Sequence, residues 1–146
     1  MDALELLKKD HQKAKELFEQ AEETEQENDK KKIFKQIKKE LETHARIEEG
    51  IFYPAIEHHE QLKDTVLESY SKHKDVKVLL HEITGLVSQN KPFEPKLKIL
   101  KETVEHRDAE EERKIFSHVR ELVDDETLEK LGRQFQVARN QLLNAL

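Results

Sequence analysis

Apolar residues recur along this chain in alternating steps of three and four, the period of helices that bury one face. The first stretch carries Leu4, Leu7, Ala14, Phe18 and Ala21, with His11 at the vacant step between Leu7 and Ala14. Asp2 ahead of it and Glu5 three residues on form a capping-box signature, which predicts a helix start at Asp2. The run TEQENDKKK has no apolar residue and reads as the first turn. The second stretch runs Phe34, Ile37, Leu41, then His44 and Glu48, then Ile51 and Ala55, and Pro54 is expected to kink or end it. A third helix is predicted from about Asp64 to Gln89, with a stripe of Val66, Tyr70, His73, Val76, Leu80, Ile83 and Val87.

The segment SQNKPFEP carries two prolines and reads as a connection, so a fourth helix is predicted from about Pro95 to Val123. It has two apolar edges. One is Leu97, Leu100 and Val104; the other is Ile99 and Thr103, leading to His106 and Glu110. Ile115, Phe116, Val119 and Leu122 continue the apolar face, and a last helix carries Leu128, Leu131, Phe135, Ala138 and Leu142. Together these predict one all-α domain over residues 1–146. The simplest arrangement is an up-down-up-down four-helix bundle with an additional short C-terminal helix.

Composition narrows the classes. Charged residues make up 40% of the chain and Gly and Pro only three each, which favours long helices. The mean hydropathy of −0.91 suggests disorder, but the helical period of the apolar residues argues against it. Net charge is −6 with both signs interspersed, so no nucleic-acid partner is expected. Without cysteine there are no disulfides and no thiolate ligands. No signal peptide or membrane span is evident, and a cytoplasmic location is expected.

Candidate chemistry centres on two histidine–glutamate pairs at a spacing of four: His44/Glu48 in HARIEEGIF and His106/Glu110 in HRDAEEERKIF. Residues four apart on a helix share a face, so each pair can aim a nitrogen and a carboxylate at one point. A pair of this kind on a helix surface is common and contributes only ~0.2–0.5 kcal/mol. Position is the stronger signal. His11, His44, His73 and His106 each fall on the inward stripe of one long helix, and Glu48 interrupts an apolar stripe. A core carboxylate is costly unless paired, hydrogen-bonded or metal-bound. Imidazole with carboxylate suits Fe, Zn, Mn, Co or Ni. Six such ligands are too many for one tetrahedral ion, and they predict two, bridged by Glu48 and Glu110.

Neighbouring residues carry weaker expectations. Tyr70 and Lys77 lie one turn either side of His73. Tyr70 is either a packed aromatic or a hydrogen-bond donor to the site; Lys77 is either a surface lysine or a charge beside an open coordination position. Glu49 and Glu111 are expected to face solvent, with Glu111 the substitute for Glu110 if the fourth helix is rotated. His58, His59, His81 and His118 read as surface residues, and the first two form a candidate adventitious metal pair.

Asp10–His11, His44–Glu48 with IFYP after it, His73 and the H-x-x-x-E-E run from His106 to Glu111 together resemble the hemerythrin-like HHE cation-binding domain. The resemblance spans nearly the whole chain, including the tail GRQFQVAR. It implies a four-helix bundle with two Fe ions, oxo- and carboxylate-bridged, for which Zn or Mn can substitute. His11, His44, His73 and His106 match its terminal ligands; Glu48 and Glu110 match its bridges. The oxygen carriers place a second histidine one turn after the third-helix histidine, where this chain has Lys77. The six-ligand bacterial variants fit better, and these handle or sense O2, NO or peroxide and take part in iron homeostasis.

The function so implied is a non-haem di-iron protein that binds O2, NO or peroxide at an open iron position. Peroxide disproportionation is its reaction class if catalytic. A monomer or weak homodimer is expected, with no membrane partner. The alternatives are an iron-responsive regulatory or storage module and a metal-free structural bundle with paired core histidines.

Overall fold

The computed structural model describes residues 1–144 and is helical throughout apart from short turns. Helix α1 spans Ala3–Glu23. The Asp2 carboxylate accepts from the Glu5 N–H at 2.9 Å, and the Glu5 carboxylate accepts from the Asp2 N–H at 3.3 Å, so the capping box forms as predicted. The first turn is shorter than its polar composition suggests. Helix α2 already begins at Glu27, where Glu27 and Asp29 complement the positive end of the helix dipole.

Helix α2 comprises Glu27–Ile47, a π-helical turn Glu48–Phe52 and a last turn Tyr53–Ile56. It passes through Pro54 instead of ending there. In the wide turn the Tyr53 N–H bonds to the Glu48 carbonyl five residues back, which adds one residue to the helix repeat. Inward positions beyond it therefore move on by one. Phe52, Tyr53 and Ile56 are buried, whereas Ile51 and Ala55, the predicted inward residues, are only half-buried.

Helix α3 spans Glu60–Ser88, starting earlier than predicted and burying Leu62. Helix α4 runs as Glu94–Glu111, a second π-helical turn Glu112–Phe116, and Ser117–Leu122. Helix α5, Asp125–Asn144, has 20 residues and is not the short addition expected.

Helix α1 packs on α2, α4 and α5; α3 packs on α2 and α4; and α5 also lies against α2. Two apolar clusters fill the interior. One gathers Leu4, Leu7, Ile47, Phe52, Val66, Ile115, Phe116, Leu128 and Phe135; the other gathers Ala14, Phe18, Phe34, Leu41, Val76, Leu80, Leu100 and Val104. Helices α1 and α3 run from the first cluster to the second, and α2 and α4 run back. Each crosses the gap between clusters with polar residues: Asp10 and His11, His44 and Glu48, His73, and Arg107, Asp108 and Glu111. A buried polar layer therefore lies between two apolar ones. Among the described residues no helix is long and apolar enough to cross a membrane.

Candidate metal centre

Three histidines share one design. Each directs its Nδ1 to a carboxylate and its Nε2 toward two central glutamates, Glu48 and Glu111. His11 Nδ1 lies 2.8 Å from Glu112 Oε2, and its Nε2 lies 3.1 Å from Glu111 Oε1. His44 Nδ1 lies 2.9 Å from Asp10 Oδ2, which Arg139 of α5 also engages. His73 Nδ1 lies 2.6 Å from Glu49 Oε2, with its Nε2 3.1 Å from Glu48 Oε1. A carboxylate on one ring nitrogen fixes ring orientation and makes the other nitrogen a better ligand.

Tyr53 completes the centre. Its hydroxyl donates to Glu111 Oε2 at 2.5 Å and lies 3.5 Å from His73 Nε2. Tyr53 carries no signal in the sequence, because the π-helical turn that brings it onto the face of Glu48 has no simple composition signature. Tyr70, the aromatic singled out instead, packs edge-on against Tyr53 at 5.2 Å between ring centroids. Lys77 is mostly exposed and lies 3.9 Å from Glu49.

Helix α4 departs from expectation. The His106 side chain is 75% exposed and lies 3.3 Å from Glu110, which Lys72 engages. Neither reaches the interior, so the six-residue cage predicted from sequence does not assemble. The reason is rotational. Leu97, Leu100 and Val104 are buried, and their three–four spacing continues to Arg107, Asp108 and Glu111. His106 lies two residues past Val104, about 200° around the helix. Ile99, on the competing edge, is exposed. The fallback residue Glu111 thus occupies the centre. Glu49 and Glu112 act as orienting carboxylates toward His73 and His11.

The electrostatics are those of tightly opposed charges. Burial opposes protonation of His11, but hydrogen bonds to Glu111 and Glu112 and the Asp108 charge outweigh it and raise its pKa to about 9. Burial likewise opposes the His44 charge, yet Glu48 and Asp10 hold its pKa well above the imidazole range. Burial would raise Glu48, but the His44 charge and the approach of Glu111 hold it well below the usual carboxylate range. Burial and the charge of Glu48 push Glu111 up to about 7. The Tyr53 hydroxyl, raised by burial and by both glutamates, stays a donor.

The donor set fits a cation. Ligand atoms of His11, His44 and Glu111 lie within 4.8 Å of one another. His44 Nε2 sits 3.0 Å from Glu48 Oε1 without hydrogen-bond geometry, and it and Glu48 Oε2 are buried with no hydrogen-bond partner among the described residues. Buried polar atoms without partners are costly, and an ion between them would satisfy both.

A helical protein with a buried layer of imidazoles and carboxylates resembles the proteins that build metal centres between packed helices. The comparison with known families makes this specific. Residues 2–119 match the hemerythrin HHE cation binding domain, and the chain belongs to that family. A crystal structure of a hemerythrin HHE cation binding domain-containing protein, the Rv2633c homologue from Mycobacterium kansasii, superposes with a TM-score of 0.85. It is 25% identical, over 99% of this chain and 89% of that one. A curated relative described as a DNA nickase, from Nostoc sp. (strain PCC 7120), is 29% identical over 149 aligned residues. That alignment takes in all of this chain and 41% of the relative, so the chain spans less than half the relative's length.

Proposed function

We propose that this protein holds non-haem iron in its buried histidine–glutamate layer and takes up O2, NO or peroxide at an open position beside it. The observation that carries this reading is the convergence of His11, His44 and Glu111, with His44 Nε2 and the adjacent Glu48 Oε2 buried and without a hydrogen-bond partner among the described residues. Two imidazoles and a carboxylate with open positions are a donor set that iron uses for small-ligand chemistry. Iron held by these residues would supply electron density to an incoming diatomic or peroxide.

The chain's own residues do the rest. Asp10, Glu49 and Glu112 hold the three rings, and Arg139 holds Asp10. Tyr53 offers a proton-bearing hydroxyl at Glu111. The two apolar clusters above and below limit water. A cavity lined by Lys8, His11, Gln12, Asp108 and Glu112 among others reaches the His11 side of the layer and is a route for a small ligand. DNA nicking, the activity named for the Nostoc relative, is not part of the proposal. The net charge is −6 with interspersed signs, and phosphate-backbone recognition draws on a concentrated basic surface.

The test is to reconstitute metal-free protein with ferrous iron under anaerobic conditions, desalt it, and measure bound iron and the optical change on adding NO. Retained iron and an iron-nitrosyl absorption, both lost in His44→Ala, are expected. Protein that retains no iron would sink the reading and leave the histidines as paired core residues.

A further inference from the structure

The layer has an internal two-fold pattern that one residue breaks. Helix α2 presents His44, then Glu48 and Glu49; helix α4 presents Arg107, then Glu111 and Glu112, at the same spacing. The matches extend to contacts. Glu48 and Glu111 are the two central carboxylates, while Glu49 reaches His73 of α3 as Glu112 reaches His11 of α1. Under this correspondence Arg107 stands where His44 stands. It is 6% exposed, its Nη2 donates to Asp108 Oδ1 at 2.9 Å, and its Nε has no partner.

We propose that the centre holds one metal ion, at His11, His44 and Glu111, and that the Arg107 guanidinium takes the place of the second. This rests on the metal-binding reading above. Arginine stays protonated and has no lone pair to give, so it cannot be a ligand. It does supply a fixed positive charge to the carboxylates that a second ion would otherwise neutralise, and it repels such an ion. On that side His73 is the one imidazole, because His106 points outward. The two halves open to separate cavities, one reaching His73 and Arg107 and the other reaching His11 and Asp108.

The experiment counts iron. It is carried out in a His58→Ala/His59→Ala background, because the exposed His58 and half-buried His59 rings lie with centroids 4.1 Å apart and offer a competing ion site. After anaerobic loading and desalting, about one iron per chain is expected, with an EPR signal of isolated high-spin ferric ion after oxidation that accounts for all of it. Arg107→His restores an imidazole four residues before Glu111 and is expected to raise the content to about two, with loss of signal as the ions couple. His73→Ala is expected to keep its one iron, whereas His11→Ala loses it. Two irons in the parent, or loss of its iron on His73→Ala, overturns the single-ion proposal and leaves the iron reading intact. No iron at all overturns both.

Discussion

At the scale of single residues, the centre separates histidines by what holds their second nitrogen. His11, His44 and His73 each have a carboxylate partner at Nδ1; His106 has only Glu110, at the surface. His106→Ala is therefore expected to leave iron content unchanged, measured as metal per chain after desalting. Asp10→Ala removes the acceptor for His44 Nδ1 and releases Arg139. Loss of such an orienting partner weakens metal affinity about 10–100-fold in comparable sites. A chelator competition titration at neutral pH reads this directly, and unchanged affinity would show that Asp10 serves only to anchor α5.

At the scale of elements, the two π-helical turns and the docking of α5 decide what faces inward. Helix α5 approaches the N-terminus of α1 so closely that a Cβ at Gly132 would lie 2.6 Å from the Met1 carbonyl oxygen and 3.1 Å from the Asp2 carbonyl carbon. Both are backbone atoms, which cannot swing aside. Alanine ordinarily favours a helix over glycine by about 1 kcal/mol. Here overpacking opposes that gain at about 1–3 kcal/mol. Gly132→Ala is expected to lower the melting temperature of metal-free protein by a few degrees, and a rise would mean that α5 has room to move.

At the scale of the whole molecule, the polar layer couples stability to pH. His11 titrates at about 9 in the fold, against about 6.5 when unfolded, so its contribution is complete below about pH 6.5 and lost as pH rises through 9. Glu111, raised to about 7, contributes below its unfolded pKa and loses that contribution as pH rises through 7. Glu48 and Asp10, held low, act oppositely, contributing above the ordinary carboxylate range and losing that contribution in acid. Metal-free protein is therefore expected to be more stable at about pH 6 than at about pH 9.5, by roughly 1–3 kcal/mol in urea melts. Bound iron is expected to reverse the dependence, because ligand imidazoles must be deprotonated and acid releases the ion. A pH trend of the same sign with and without iron would place the metal elsewhere.

Local chemistry alone determined much of this protein. The steps of three and four marked every helix, Asp2 and Glu5 set the start of α1, and His11, His44, Glu48 and His73 stood out because each breaks an apolar stripe. These features depend on neighbours within a turn or two, which a sequence displays. The rotation of α4 was different. Two edges competed, Leu97–Leu100–Val104 against Ile99–Thr103–His106, and only packing against α1 and α3 decided between them. A difference of one residue, about 100° of rotation, exchanged His106 and Glu110 for Arg107 and Glu111. The π-helical turn that brings Tyr53 inward is settled in the same way, by whole helix faces seeking partners. Burial is a property of the assembled bundle, so the identity of the fourth position, imidazole or guanidinium, was a tertiary decision.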